Sequence, residues 1–530
     1  MKKAIIVLIA LNILTMTMFS CKNKDNDSSQ KVAKKYLSEN ARTEFNENLD
    51  LSEYNVSFEN LPKDFKLFNE AENSSFSGNV SVVQPASLNG FTGDSYVKLE
   101  QNEIDGVIFK ITLENEGLYK LTFNTASMGG EKYNYIVING KSVGEIYTKN
   151  EEFSESSISQ IYLQKGENEI IIKPYWGWIY VDNMTITPST DISNDVYKAS
   201  TSLVNVNSNE NTKRLMKFLT DVYGKYIISG QYGDKGKSSS ELEKIETETG
   251  KLPAMLGLDL IEYTPSRVEN GAPVSSAIEH AIDWYYNHGG IVTFCWHWNA
   301  PSKYLLKTKA QPWYKGFYKE ATNINLDNIM EGKDQEGYDL LMSDIDAIAK
   351  ELKRLDDAHV PVLWRPLHEA SGGWFWWGNC KPESNIKLWN ILYDKLTNEH
   401  KLNNLIWVWN GQKKEWYPGD ETVDIVGEDI YPGEKVYTPQ SGRFTEALQY
   451  SQQNKIIALT ENGCLFDPDL AFRDNVKWAW FCTWNGEFVL DKFKLFSEQY
   501  TEKDMWKKVY NHERVLTLDE LPKLRDYPLE

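Results

Sequence analysis

Between residues 226 and 485 the sequence alternates eight times between a short run that is apolar almost throughout and a longer stretch whose apolar residues recur every three or four positions. No other feature restricts the fold of this chain so strongly. The apolar runs cover residues 226–231, 254–260, 290–298, 360–369, 404–410, 424–431, 455–463 and 478–485, and helical periodicity covers 275–287, 340–356, 385–400 and 445–453. Short runs this apolar suit strands buried on both faces. Strands that alternate with helices pair in parallel, and eight such units over roughly 300 residues predict a closed (β/α)8 TIM barrel. An open doubly wound sheet would want a Gly-rich phosphate turn near the first strand, which is missing.

The first third of the chain has another rhythm. Val107, Phe109, Ile111 and Leu113 alternate with polar neighbours, as do Tyr119, Leu121 and Phe123, and residues 135–138 run into the turn Asn139-Gly140. Ile170, Ile172, Ile179, Val181 and Ile186 continue the period of two, so residues 51–187 predict an all-β, jelly-roll-like sandwich. The Ser-, Thr-, Asn- and Asp-rich residues 188–210 then read as a linker, with the barrel filling 211–530. At the N-terminus, Lys2, Lys3, an apolar run over 4–14 and Ser20-Cys21 have the layout of a secretory signal, too short to span a bilayer stably. The small residue before Cys21 makes residues 1–21 resemble a bacterial lipoprotein signal. Cys21 is then expected to carry lipid and anchor the chain to the outer membrane, on its periplasmic or cell-surface face. Residues 22–50 are polar and poor in aromatics, and read as a flexible tether.

Composition narrows the partners. A formal net charge of −19 and a pI near 5.0 repel nucleic acid, leaving a neutral polymer open. Eighteen Trp, 29 Tyr and 21 Phe are more flat ring surface than a core needs, and such rings also line binding clefts. The expected state is a monomer. Cys295, Cys380, Cys464 and Cys482 lack CxxC spacing, which argues against a zinc cage. Cys464 with Cys482 is the first pair to consider for a disulfide, and buried free thiols are the open alternative.

A barrel places its chemistry at the C-terminal ends of its strands. Here the third run ends Cys295-Trp296-His297-Trp298, the fourth ends with His368-Glu369, the sixth with Tyr431, the seventh in Glu461-Asn462 and the eighth in Trp484-Asn485. Strands four and seven approach each other across the mouth, so Glu369 and Glu461 are expected to flank one sugar, the minimum machinery of glycoside hydrolysis. HExxH fails because Gly372 stands where the second His belongs, and GxSxG is absent, which disfavours zinc and serine hydrolases. Part of Trp374-Phe375-Trp376-Trp377 is expected to plug the core, while at least one ring walls the cleft.

These residues resemble glycoside hydrolase family 26, most of whose members are retaining β-1,4-mannanases. The resemblance spans about residue 211 to the C-terminus. It rests on Tyr223-Gly224-Lys225 before Ile228-Ser229-Gly230-Gln231, on Trp296-His297-Trp298, on Trp364-Arg365-Pro366-Leu367-His368-Glu369 with Trp374, and on Glu461-Asn462-Gly463. It implies Glu369 as acid/base and Glu461 as nucleophile. It further implies that His368 touches the nucleophile or a sugar hydroxyl, that Tyr431 bonds Glu461, that His297 lines the same subsite and that Trp484 is its floor. No catalytic cofactor is implied. The implied substrate is mannan, galactomannan or glucomannan. A β-1,4-xylanase or β-glucanase of the same family, a transglycosylase and a non-catalytic surface glycan-binding protein are the alternatives. The sandwich resembles a family 35 carbohydrate-binding module, or its relative family 6, through Glu70-Ala71-Glu72, Gly90-Phe91-Thr92-Gly93 before Tyr96-Val97, and Trp176-Gly177-Trp178 before Val181-Asp182. That likeness implies a structural Ca2+ held by Glu70, Glu72 and Asp182, and a sugar platform of Trp176 and Trp178.

Overall fold

A computed structural model describes residues 61–529 except Pro85, Glu103, Gly177, Thr190 and Asp191, and for Trp176 the backbone alone. The expected signal (1–21) with Cys21 and the tether (22–50) lie outside the described residues.

The N-terminal domain is a sandwich of two antiparallel sheets. In one, Ser81–Val83, Tyr96–Leu99, Ile179–Pro188, Gly117–Ser127 and Ser154–Leu163 lie side by side, with Leu67–Glu70 also paired to Ile179–Pro188. In the other the order is Ser75–Ser77, Gly106–Leu113, Gly166–Trp176, Lys132–Ile138 and Lys141–Thr148. Alternate residues of each strand meet between the sheets, and Val107, Phe109, Leu121, Phe123, Ile136, Ile170, Ile172, Val181 and Met184 form one dry core. Asn139 and Gly140 both have positive φ, +49° and +82°, the conformation of a two-residue hairpin turn.

Eight parallel strands close the second domain into a barrel: Gly230–Tyr232, Met255–Asp259, Ile291–Cys295, Val362–Arg365, Leu405–Trp409, Ile425–Ile430, Ile456–Asn462 and Phe481–Thr483. Gln231 opposite Thr483 makes the closure. The first apolar run is divided at Ser229, because Ile227–Ile228 pairs below the barrel with Val515–Leu516. Two helices run into one π-helical turn each, Ala277–Asp283 into Trp284–His288 and Pro382–Asp394 into Lys395–Glu399. A third, Gln335–Asp357, is capped by the Asp334 carboxylate on Gly337 N–H at 2.9 Å. The helix expected over 445–453 lies earlier, at Ser441–Ala447, and its last apolar residue, Tyr450, sits in the following turn with its hydroxyl on Gln412 O.

Residues 192–209 are bound to the barrel rather than loose. The Tyr197 hydroxyl donates to Asn475 O at 2.6 Å, and Val204 N–H donates to Asp424 at 2.8 Å. Among the described residues, Cys295, Cys380, Cys464 and Cys482 are free thiols. Cys464 turns toward the Tyr500 carbonyl, 3.0 Å away, while Cys482 is buried in the eighth strand, so the considered Cys464–Cys482 disulfide is not formed.

Candidate active site

The fourth strand ends in an unusual turn. Leu367 and Glu369 both adopt left-handed φ, +51° and +53°, on either side of His368. For bulky residues this costs about 1–3 kcal/mol each and persists only where surrounding contacts overrule it. Those contacts are present: Glu369 N–H donates to Asn410 O at 2.7 Å and to Asn410 Oδ1 at 3.0 Å, and Trp377 Nε1 donates to the His368 carbonyl at 2.9 Å. The turn lifts the Glu369 carboxyl to the mouth, where its Oε2 accepts from Trp374 Nε1 at 2.8 Å. Burial, reinforced by the charges of Asp429 and Glu461, holds the Glu369 carboxyl well above the usual carboxylate range.

Glu461, at the end of the seventh strand, is buried and held differently. Arg365 donates to its Oε1, and the Tyr431 hydroxyl donates to its Oε2 at 2.6 Å. Arg365 is itself fully buried, and its guanidinium also reaches Asp429 Oδ2 at 2.7 Å and Tyr232 Oη at 2.9 Å. Gly257 makes room for that tyrosine, since a Cβ there would fall 2.6 Å from its ring. Asp429 is pushed up to about 7 by burial, with Arg365 opposing the rise and Glu461 adding to it. One oxygen each of Glu369, Asp429 and Glu461 lie within 4.8 Å of one another. Such a trio has metal-ligand spacing, but the Arg365 guanidinium already supplies the cation on which Asp429 and Glu461 converge.

Two histidines stand beside the carboxylates, His297 after the third strand and His368 next to Glu369 after the fourth. Asp259 takes both the backbone N–H of His297 (3.1 Å) and its Nδ1 (2.6 Å), and His297 Nε2 lies 3.2 Å from His368 Nε2. If Asp259 fixes the proton on His297 Nδ1, His368 donates from Nε2, and its buried Nδ1 is left a bare acceptor without a protein partner. Burial, then the charges of Arg365 and His297, holds His368 well below the usual imidazole range, hence neutral. The half-buried Trp484 packs on Tyr232 at 4.6 Å and on His297 at 5.7 Å between ring centres. Cys295 also approaches Asp259 and His297, but burial pushes its thiol well up, so it is neither thiolate ligand nor nucleophile. In the aromatic run, Phe375, Trp376 and Trp377 are buried, whereas Trp374 is 41% exposed beside Glu369.

A closed barrel with this pair at strands four and seven has relatives. Residues 204–520 match Glycosyl hydrolase family 26, and residues 68–189 match Carbohydrate binding module (family 35). The chain belongs to glycosyl hydrolase family 26. A mannan endo-1,4-β-mannosidase of Thermothelomyces thermophilus is 38% identical over 458 residues, which are 86% of this chain and 91% of that protein. Mannan endo-1,4-β-mannosidase B of a Piromyces species is 36% identical over 86% of this chain and 77% of its own. Among solved structures, a Podospora anserina GH26-CBM35 β-(1,4)-mannanase is similar at 38% identity and a TM-score of 0.60, covering 87% of this chain and 100% of that one.

Ahead of the family 26 barrel, the family 35 module brings Glu70, Glu72 and Thr92-Gly93 together. A Cβ on Gly93 would lie 3.1 Å from Glu72 Oε1 and 3.3 Å from Glu70 Oε1, while Glu72 Oε2 is buried without a partner. Burial and the neighbouring Asp182 and Glu72 charges raise the Glu70 pKa despite a 2.8 Å bond from Thr92 Oγ1. An unmatched carboxylate oxygen in an acidic corner fits a hard cation. Asp182 stands behind this corner, with its oxygens taken by Thr92 N–H (3.0 and 3.1 Å), Asn124 Nδ2 (2.8 Å) and Asn183 Nδ2 (2.7 Å). Of the expected sugar platform, Trp178 is 41% exposed with Lys132 Nζ 5.9 Å from its ring centre, and the Trp176 ring lies outside what is described.

Reading motifs alone passed over Tyr232, Asp259, Arg365, Asn410 and Asp429 as site residues of the family 26 barrel. Each closes or nearly closes its strand, the first, second, fourth, fifth and sixth in turn. That position was the available signal, since a polar residue ending a buried strand at the catalytic mouth has little other reason to be there.

Proposed function

We propose that the chain hydrolyses internal β-1,4-mannosidic bonds of mannan, galactomannan or glucomannan by double displacement, with Glu461 as nucleophile and Glu369 as acid/base. One observation carries the reading: the two carboxyl groups approach within 4.8 Å in unlike surroundings. Retaining pairs stand about 5–5.5 Å apart, whereas inverting pairs need about 6.5–9.5 Å to admit a water. Arg365 and Tyr431 orient Glu461 for attack on the anomeric carbon. As the bond to the leaving group breaks, Glu369, kept protonated by its burial, gives its proton to the departing oxygen. In the resulting ester Glu461 has no charge, so Glu369 becomes a better acid, ionises, and can take a proton from the water that releases the sugar. His297, oriented by Asp259 and braced through its Nε2 by the neutral, buried His368, is suited to line the sugar at the cleavage point, over a floor formed by Trp484.

The mannan preference is supported by relatives bearing mannan endo-1,4-β-mannosidase names at 38% and 36% identity. Hydrolysis of mannohexaose followed by proton NMR should release the β-anomer first, and mannan should be cut faster than xylan or mixed-linkage glucan. An α-anomer appearing first, or a preference for xylan, would sink the assignment. On the module, Ca2+ is proposed at Glu70 and Glu72, with Asp182 holding Thr92 and Asn183 in place behind them. A chelator should then lower the melting temperature of the module, because an ion bound only to the native state stabilises it. An unchanged melt rejects the site. Lipid attachment at Cys21 to the outer membrane is proposed from Ser20-Cys21. Cys21→Ala should release active enzyme from the membrane fraction, and equal membrane recovery of both forms refutes the anchor.

A further inference from the structure

The family 35 module is seated on the barrel through the outer face of its second sheet and through the strand Ser154–Leu163 of the first, where Arg473 stands 4.0 Å from the centre of the Tyr162 ring. Asn134, Ile136, Ile138, Ile146 and Thr148 of its second sheet point into the sandwich, so the alternating Tyr133, Tyr135 and Tyr147 point out of it. Tyr175 lies on the adjoining strand Gly166–Trp176, which pairs with Lys132–Ile138. Two of these four rings are used in docking. Tyr133 and Tyr147 stack at 5.0 Å, and Lys413, from the segment after the fifth barrel strand, stands 4.8 and 4.3 Å from their centres while pairing with Glu131 at 3.3 Å. Nearby, Thr438 Oγ1 donates to the Ser142 carbonyl at 2.7 Å.

The other two rings have a different fate. Tyr135 and Tyr175 stack at 4.4 Å with planes 28° apart, and Tyr175 remains 50% exposed. A lone exposed tyrosine is ordinary, so its position decides what it means. The docking segment that carries Lys413 also holds the acid/base turn, for Asn410 O accepts from Glu369 N–H at 2.7 Å and Gly411 O from Ser371 N–H at 3.2 Å. The Glu369 charge reaches Tyr175 and, after burial and Glu145, helps to raise its pKa; it does the same for the partly exposed Tyr318 of the barrel. Tyr175 thus stands beside the docked strand of Tyr133, whose ring meets Lys413 of the segment that backs the Glu369 turn.

An acid/base stands beside the glycosidic oxygen. The module sits on the segments that follow strands five and six, at Lys413 and Thr438, beside the residues that back the Glu369 turn, so the leaving part of the chain on the Glu369 side runs toward it. We propose that Tyr175, braced by Tyr135, is a sugar-stacking subsite for the leaving-group end of a β-1,4-linked chain, supplied to the catalytic cleft by the module. The proposal rests on Glu369 being the acid/base. A flat ring with one face in solvent and the other supported by a second ring suits the apolar face of a pyranose.

The test compares mannohexaose with an aryl β-mannobioside, whose leaving group ends at the bond that is cut. Tyr175→Ala should lower kcat/KM for mannohexaose about three- to ten-fold, mostly through KM, and so lower the ratio of the long to the short substrate. Tyr175→Phe should restore that ratio, since the ring and not the hydroxyl does the stacking. Lys413→Ala, which loosens the docking, should lower the ratio in the same direction by less. Equal losses on both substrates, an unchanged ratio, or Tyr175→Phe as impaired as Tyr175→Ala would overturn the subsite. The Glu369 assignment is tested separately, by azide rescue of Glu369→Ala on the aryl substrate that Tyr175 does not reach. Either idea can thus fail alone.

Discussion

Glu369 and Glu461 are the same residue on the same ring of strands, yet the barrel treats them as different chemical groups. Glu461 lies at the end of the seventh strand, just past a register shift at Thr460, with a donor on each oxygen, Arg365 and Tyr431. Glu369 sits in a left-handed turn, receives one indole N–H, and faces two carboxylates across the mouth. The difference is set by Arg365, whose guanidinium lies against Glu461 and Asp429. A role in catalysis is therefore assigned by the neighbours rather than by the residue, and each neighbour is a place to test that statement.

The largest effect comes from removing the carboxylates themselves, and their losses should have opposite signatures. Glu461→Ala should lower turnover on every substrate by roughly 10⁴-fold or more, since no glycosyl-enzyme forms. Added azide can then attack once from the vacated side and give the α-azide. Glu369→Ala should still attack aryl glycosides whose leaving group needs no proton, but its glycosyl-enzyme should persist until azide releases it by a second inversion, giving the β-azide. Proton coupling in the products reads the configuration. Azides of one configuration from both variants would erase the contrast between the two ends.

A smaller effect follows from taking a donor away from Glu461 alone. Tyr431→Phe removes the 2.6 Å bond to Oε2 and leaves Arg365 in place. A hydrogen bond to a charged group is worth about 1.5–3 kcal/mol, so kcat should fall about ten- to hundred-fold with little change in KM. A change confined to KM would make Tyr431 a sugar contact instead.

Trp374→Phe is the matching test at Glu369, and it should be read in the pH profile. The indole N–H favours the charged form, so its loss should move the Glu369 pKa further up. Because the acid form is the active one in the first step, the alkaline limb of kcat/KM should shift to higher pH, with a rate change of only a few-fold. A limb that moves down, or stays, means that the 2.8 Å bond is not made in the working enzyme.

How far all this could be read beforehand depended on which physical rule wrote each residue. The eight strands were legible because burial on both faces leaves almost no choice of residue, and Leu405–Trp409 is apolar at every position. Glu369 and Glu461 were legible because a charged residue closing such a run needs a reason. Asp259 and Asp429 obeyed the same rule but lacked an aromatic or histidine motif to draw the eye, and their importance lies in contacts to His297 and Arg365 that sequence distance hides. The seating of the module was illegible. Tyr133 and Tyr147 alternate like any half-buried strand residues, and only the fold brings Lys413 onto them.

The smallest effect sharpens the comparison on stability rather than rate. Glu369 has a folded-state pKa raised above its unfolded value of about 4.3, chiefly by burial, so the native state binds this proton more tightly than the unfolded chain. The stability tied to that proton is fully present below the unfolded pKa and is lost as pH rises toward the folded pKa. Glu369→Gln mimics the protonated form at every pH. It should therefore match the wild type in acid and melt higher near neutral pH. Glu461→Gln should melt lower than the wild type at pH 8, because it takes from the buried Arg365 one of its two carboxylate partners. Melting curves of the three proteins at pH 4 and pH 8 give the answer directly. Shifts of the same sign from both substitutions would mean that burial alone, and not the side on which Arg365 lies, distinguishes the two glutamates.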